Sequence, residues 1–368
     1  MTDTWRSTTI GDQVTLQRGI DITKEHQRPG TVPVISSSGV SSFHDVAAVD
    51  GPGVVLGRKG VVGSVYYVQD AFWPHDTTLW VKDFHGNNPR FVYYFFKAMA
   101  SRLASMDVGS ANPTLNRNHI HPIPVRWPQL DEQRAIADRL GTLDDKIALN
   151  LRVSSTLEGL SDAVYLFALS EAGFDAPFLT DVDVRSGGTP KTATARYWGG
   201  DIPWISIRDL GPHAFVVSTE KTITKAGADS SAAKPLPDRS IVLSARGTVG
   251  RVALTTGTMA ANQSCYGLVS ATPYSVYHRT KMAIGTLRAR AHGSVFDTIT
   301  RETLEGLRLS VLLNPQGFER SVRPIFDLIL SNTRECQALA GLRDALLPEL
   351  ISGNRPVRMT ELFIEATV

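Results

Sequence analysis

Sulfur is scarce in this chain of 368 residues, which carries 2 cysteines, Cys265 and Cys336, far apart in sequence. A disulfide framework or a zinc cluster needs thiolates and imidazoles at short, regular spacing, so neither is supported, and a reducing cytosol suits such a chain. Long apolar runs are missing as well. No window approaches the roughly 18 consecutive apolar residues of a membrane-spanning helix, and the opening "MTDTWRSTTIGDQ" lacks the cationic start and apolar stretch of an export signal. The sequence therefore reads as neither exported nor membrane-embedded. Catalytic signatures are equally sparse. There is no G-x-x-x-x-G-K-[ST] phosphate loop and no G-x-S-x-G nucleophile elbow, which speaks against ATP hydrolysis and against serine-hydrolase chemistry. "GPGVVLG" from Gly51 approximates a dinucleotide fingerprint, but it has an extra residue and leads into an apparent strand instead of opening a helix. "HIH" at His119 to His121 has no carboxylate or thiolate at useful spacing and reads as structural or DNA-facing. Asp144-Asp145-Lys146 imitates part of a nuclease signature, yet it falls on a helical seam where a solvated charged face explains it. The pattern is that of a binder, not an enzyme.

What is present points to two domains. Hydrophobic residues make up 42% and charged residues 20%, the balance of a globular protein long enough for two cores. The net charge of +2 is unevenly spread: residues 1–128 and 179–312 carry +2 and +6, while 129–178 and 313–368 carry −5 and −1. A polyanion would prefer the two long segments.

Those long segments repeat one another. "VVLGRKGVVGSV" from Val54 returns as "IVLSARGTVGRV" from Ile241, without gaps and with Lys59 and Arg246 as a shared cation. "VPVIS" from Val32 parallels "IPWIS" from Ile202, and "GSANPTLNRNHI" from Gly109 parallels "GSVFDTITRETL" from Gly293, in the same order. Each copy is a mixed α/β segment in which runs such as "GVVLGR", "SVYYV" and "TTLWV", or "PWISI", "RSIVLSA", "RVALT" and "SCYGLV", are bounded by turn residues as strands are. "PRFVYYFFKAMASRLASM" predicts a helix packed on the first set.

A heptad helix follows each copy. Asp131 offers an N-cap, and Ile136, Leu140, Leu143, Ile147, Asn150, Ser154, Leu157, Ser161 and Val164 alternate steps of four and three. Ile325, Ile329, Asn332, Cys336, Leu339, Arg343 and Leu346 occupy the matching places. At 1.5 Å per residue a helix of some 35 residues spans about 50 Å, enough for two such helices to form a rod that holds two globular units apart.

The basic and amide residues of the copies are the candidate DNA contacts, because Arg and Lys hold phosphates or read guanine while Asn and Gln pair with adenine. In the first copy these are Arg58, Lys59, Asn112, Asn116, Arg117 and Asn118. In the second they are Lys191, Arg196, Arg208, Arg246, Arg251, Asn262, Gln263 and Arg301. Glycines beside Lys59 and Arg246 let the backbone approach a partner closely. Tyr197, Trp198 and Trp204 read as core residues.

"SGGTPKTATARYWGGDIPWISIRDL", residues 186–210, resembles the start of a target-recognition domain in the specificity subunits of type I restriction-modification systems. "WPQLDEQRAIADRLGTLDDKIALN" from Trp127 resembles their central conserved helix, and "LRDALLPELISGNRPV" from Leu342 their C-terminal ending. The resemblance covers nearly the whole chain in the family's order. It departs at "LQRGIDITKEHQRPGTVPVISSSG", which lacks "GGTP", and at "LLNPQGFERSVRPIF", where Pro315 and Pro324 open the second helix without the "EQ" of the first.

The resemblance implies an α/β (α+β) fold: two tandem mixed α/β target-recognition domains separated by two long helices packed as an antiparallel coiled coil. The divisions would be 1–128, 129–176, 177–312 and 313–368. It further implies a subunit without catalytic activity in which each domain reads one half of an asymmetric, bipartite sequence in double-stranded DNA. The helices would fix the spacer and dock two methyltransferase subunits and the restriction subunits. S-adenosylmethionine, ATP and Mg would be used on those partners, with no cofactor in this chain. Two other classes remain open at this point, an enzyme with fused recognition domains, such as a type II-like nuclease or methyltransferase, and a pure protein-interaction scaffold.

Overall fold

The computed structural model describes residues 5–106, 114–291 and 298–354. It forms two compact units, residues 1–146 with 339–368, and residues 147–338. The unit boundary falls inside a long helix, so each unit contains one α/β domain and a stretch of both long helices.

The first domain runs β1 (Trp5–Thr9), α1 (Ile10–Gln13), β2 (Thr15–Arg18), β3 (Val32–Ser36), β4 (Gly39–His44), β5 (Gly53–Gly57), β6 (Val65–Val68), β7 (Trp73–Pro74), β8 (Thr78–Asp83), α2 (Pro89–Ala98), α3 (Ala100–Ser105), α4 (Arg117–Ile120) and β9 (Pro124–Pro128), and then enters α5 (Leu130–Ala172). Its sheets have the orders β2-β8-β5-β6 and β4-β3-β7, with β1 and β9 as a separate antiparallel pair. β5 is buried along its whole length, which is why its sequence is an apolar run and not an alternation. Asn88 caps α2 by accepting the Phe91 N–H at 2.9 Å, with Pro89 at the first helical position, where its missing donor costs nothing. The single helix expected over "PRFVYYFFKAMASRLASM" is instead two, because the Met99 N–H bonds back to the Phe95 and Phe96 carbonyls and closes α2 before α3 begins. Trp127 is fully buried at the end of β9, edge-on to Phe91 and Phe95 at 5.2 and 4.7 Å, and donates its indole N–H to Asn87 Oδ1.

The second domain runs β10 (Gly173–Pro177), β11 (Asp183–Ser186), β12 (Trp198–Ile205), β13 (Phe215–Val216), β14 (Lys221–Ile223), α6 (Lys225–Asp229), β15 (Ile241–Ser244), β16 (Val252–Thr255), β17 (Ala260–Ala261), β18 (Cys265–Val269), α7 (Pro273–Ala291), α8 (Arg301–Glu305) and β19 (Arg308–Leu312), followed by α9 (Pro315–Ser352). Its sheet orders, β11-β18-β15-β16-β13 and β14-β12-β17, with β10 paired to β19, reproduce those of the first domain strand for strand. The addition is β13, parallel to β16, on the edge where β6 has no further partner strand among the described residues of the first copy. Trp204 is a core residue, donating its N–H to Gly188 O and packing edge-on against the half-buried Trp198 at 5.1 Å.

The two long helices pack antiparallel. In the first unit Asp144 of α5 pairs with Arg343 of α9 at 2.7 Å. In the second, Asn150 donates to Glu335 at 2.8 Å, Asn332 to Ser154 at 3.3 Å, and Tyr165 meets Phe318 edge-on at 5.3 Å, so partner numbers fall on α9 as they rise on α5. Ile136, Leu140, Leu143, Asn150, Ile329, Asn332 and Leu339 are buried, and Ile147, Leu157 and Ile325 half-buried. Two expectations need correction. The helices hold 43 and 38 residues, longer than the 35 read from the seam. Asp131 is not the cap, because α5 begins at Leu130 and the Asp131 side chain is 97% exposed beside Arg134. α9 starts at Pro315, again at a first helical position, where Asn314 accepts the Gly317 N–H at 2.9 Å, and it continues through the exposed Pro324.

Asp145 is 68% exposed, as a charged face would be, but Asp144 is 23% exposed and is not part of one. Asp144 Oδ1 accepts from Arg343 Nη1 and Oδ2 from the Tyr94 hydroxyl, each at 2.7 Å. Asp145 takes both Arg90 amino groups at 2.6 and 2.9 Å, which holds its carboxyl below the usual range. Gly141 leaves room for the Arg90 guanidinium, which also donates to the Gly141 carbonyl; a Cβ there would lie 2.6 Å from it. These carboxylates tie α2 and α9 to α5.

Candidate nucleic-acid interface

The repeated hairpins occupy the same place in the two domains. β5 and β6 are joined by Arg58 to Ser64, and β15 and β16 by Ala245 to Arg251. Gly60 and Gly63 have φ of 78° and 82°, and Gly247 and Gly250 have 70° and 84°, a backbone that only glycine adopts without strain. The closing bonds match as well: Gly63 N to Gly57 O at 3.1 Å, and Gly250 N to Ser244 O at 3.0 Å. Lys59 and Arg246 therefore project from equivalent tips. Both are exposed, and neither side chain makes a hydrogen bond or ion pair among the described residues.

The other candidates divide by what already holds them. Arg58 is half-buried and donates weakly to Asp76 O at 3.4 Å; burial pushes its guanidinium below the ordinary value. Asn116 is the N-cap of α4, accepting the Asn118 N–H at 3.0 Å, and Arg117 donates to Leu16 O at 3.3 Å. Together with Arg18 and Gln17 these residues line a surface cleft of about 490 Å³. Asn112 lies outside the described residues.

In the second domain Arg251 donates to Leu210 O at 2.8 Å and so braces the turn before β13. Arg301 pairs with Glu305 at 2.9 Å, and that hydrogen bond raises its pKa. Arg196 lies over the Tyr197 ring at 5.3 Å. Arg208 is 86% exposed, 3.9 Å from Glu220, and shares with Asn262 a cleft of about 350 Å³. The Gln263 amide oxygen accepts from the Thr189 hydroxyl. Lys191, like the two tip cations, is exposed without a side-chain partner. His121 Nε2 accepts the Leu16 N–H at 3.0 Å, and burial lowers its pKa, so it is a neutral structural histidine.

Reading by residue type missed the turn beside the first tip, where Arg18 pairs with Asp76 at 2.9 Å. It also missed the counterpart of the "GGTP" element. Gly19 approaches the His75 carbonyl as Gly187 approaches that of Asn262, and their N–H groups bond to Thr78 O and Cys265 O. The signal was available, since the offset of 187 in the hairpin continues unbroken to "PHDTTLW" and "ANQSCYG".

The molecule is thus a tandem-repeat protein, two copies of one α/β domain carried on an antiparallel helix pair, each copy presenting a free cation on a glycine hairpin. A family model described as the type I restriction modification DNA specificity domain matches residues 2–158 and 178–311, and the chain belongs to that family. It is similar to the type I restriction enzyme HindI specificity subunit of Haemophilus influenzae, 22% identical over 326 residues, covering 66% of this chain and 71% of that relative. The MjaIX specificity subunit of Methanocaldococcus jannaschii is 29% identical over 173 residues, 44% of this chain and 40% of that relative. In fold the chain resembles the S subunit of a type I restriction-modification system from M. genitalium, with a TM-score of 0.64 at 15% identity over 95% and 97% of the two chains. Among the described residues no helix is long and apolar enough to cross a membrane.

Proposed function

We propose that this chain is the DNA-reading, non-catalytic specificity subunit of a type I restriction-modification complex. Residues 1–128 and 177–312 each read one half of a bipartite, asymmetric duplex sequence. The helical segments 129–176 and 313–368 join the two readers and dock two methyltransferase subunits and the restriction subunits, with Ile136, Leu140, Leu143, Ile147, Asn150, Leu157, Ile325, Ile329, Asn332 and Leu339 forming the packed seam that keeps them in register. Adenine methylation with S-adenosylmethionine, and ATP- and Mg-dependent cleavage, belong to those partners. The observation that carries this reading is the duplication itself. Two domains with one strand order, each ending in an exposed, unpaired cation at a hairpin tip, suit a ligand that offers phosphates at both halves and different bases in each. Family membership supports it.

The test is to sequence native DNA, with modified-base detection, from the host and from a strain lacking the gene. One bipartite adenine-methylated motif is expected to vanish with the gene. A methylome that is identical in both strains, although the methyltransferase is expressed, would overturn the reading.

A further inference from the structure

We infer that the first two residues of a tight turn in each domain, His75–Asp76 and Asn262–Gln263, discriminate bases, while the adjacent tip cations Lys59 and Arg246 hold phosphate whatever the sequence. This rests on the DNA-reading role proposed above and assigns parts within it.

Backbone hydrogen bonds fix the equivalence. Arg58 N donates to Thr77 O as Ala245 N donates to Ser264 O, which binds turn to tip in both domains. His75 N donates to Ile35 O as Asn262 N does to Ile205 O, and Thr78 N donates to His75 O as Cys265 N does to Asn262 O. Leu115 N donates to Arg58 O as Ile299 N does to Ala245 O. Even the local side-chain bond repeats, since Thr77 N donates to His75 Nδ1 and Ser264 N to Asn262 Oδ1. Position for position, the same backbone carries different side chains, half-buried at His75, Asp76 and Asn262 and exposed at Gln263.

Two readers on one scaffold that meet different half-sites share only what all DNA shares. Phosphate is common to both, and the equivalent position that keeps its charge, Lys59 and Arg246, is the one suited to it. The bases differ, and the turn is where hydrogen-bonding chemistry differs on a conserved backbone. In the first domain the Asp76 carboxylate, held at 2.9 Å by Arg18, whose counterpart is Ser186, and 3.1 Å from His75 Nδ1, keeps lone pairs that can accept further. In the second, the Gln263 carbonyl oxygen accepts from Thr189, and its amide NH2 is available as a donor. An acceptor suits the cytosine amino group, and a donor suits the N7, O6 or O4 acceptors of the other bases.

The test exchanges the turns in the full chain, H75N/D76Q in the first domain and N262H/Q263D in the second, each returned to a host lacking the gene. Modified-base sequencing is expected to show each exchange altering one half of the methylated motif, a different half for each, with the other half unchanged. K59A and R246A are expected to leave both halves as they are. In binding assays these two should weaken matched and mismatched duplexes by the same factor and make the log–log salt slope shallower by about 0.9 per lost contact.

An exchange that leaves the motif intact at full methylation overturns the inference, as does a K59A variant that changes a half-site. If an exchange abolishes methylation, binding of the purified complex to duplexes mismatched in one half decides. Loss of preference in that half alone supports the assignment. Retained preference, equal weakening on all duplexes, or failure to fold overturns it. A wild-type gene that yields no motif would refute the DNA-reading role itself, an outcome separate from any variant's behaviour.

Discussion

Replacing Asp144 by alanine is expected to cost about 3 kcal/mol of stability. The carboxylate and its partner guanidinium are only 23% and 17% exposed. Alanine would leave the buried Tyr94 hydroxyl without its 2.7 Å acceptor, worth about 1–3 kcal/mol for a buried unsatisfied group. It would also strip one carboxylate from Arg343, which keeps Asp344 at 2.7 Å, so only part of the about 3–5 kcal/mol for breaking a buried pair applies. In a unit of this size each kcal/mol lowers the melting temperature by about 2–4 °C, which gives a drop of roughly 6–12 °C followed by circular dichroism. Asp144→Asn keeps an acceptor for Tyr94 and should lose about half as much. A melting temperature within about 2 °C of the wild type for Asp144→Ala would mean that the carboxylate is solvated and that the α2–α5–α9 tie is not a fold determinant.

Two other perturbations separate backbone strain from side-chain crowding and isolate one buried acid. Gly63→Ala should cost about 3 kcal/mol and Gly250→Ala about 1–2 kcal/mol in urea denaturation, because both positive-φ positions carry the left-handed penalty of about 1–2 kcal/mol. At Gly63 a Cβ would also lie 2.6 Å from the fixed Ala100 carbonyl, whereas at Gly250 it meets the movable Ile284 and Arg288 side chains; equal losses would refute that distinction. Burial raises the pKa of Glu319 to about 7, although the Ser275 N–H and the charges of Arg323 and Arg239 oppose the shift. With a raised folded-state pKa, the carboxyl favours folding below its unfolded value near 4.5, and that stability is lost as pH rises to about 7. The wild type should therefore lose about 3 kcal/mol relative to Glu319→Gln between about pH 4.5 and 7. A difference between the two that does not vary with pH would refute the assignment.

Much of the fold was legible because it is written twice. Six matched positions in "VVLGRKGVVGSV" and "IVLSARGTVGRV" located β5, β6, β15 and β16, since glycines at positive φ and a fully buried strand leave few alternatives. The paired "GSANPTLNRNHI" and "GSVFDTITRETL" contain two short helices, capped by Asn116 and Thr300, which the repetition by itself did not announce. Misreadings came where a neighbour decides the outcome. Asp144 has the composition of a solvated face, but Tyr94 and Arg343 reach it from far away in sequence. Arg251 is a candidate by type alone, and only the structure shows its guanidinium bonded to the 207–210 turn, a long-range contact that residue type cannot report.

The sequence by itself determined the duplication, the strand-and-turn content of each copy, the two heptad helices and the family, because periodicity and glycine placement are local properties of the chain. Only the tertiary structure decided which of the many basic residues remain free. Whether a guanidinium meets a carbonyl, a carboxylate or solvent depends on groups that folding brings within hydrogen-bond distance, as with Arg251 and the Leu210 carbonyl, or Arg18 and Asp76. Among the described residues Lys59, Arg246 and Lys191 make no side-chain hydrogen bond or ion pair, because hairpin tips and open turns project beyond the groups that could bind them.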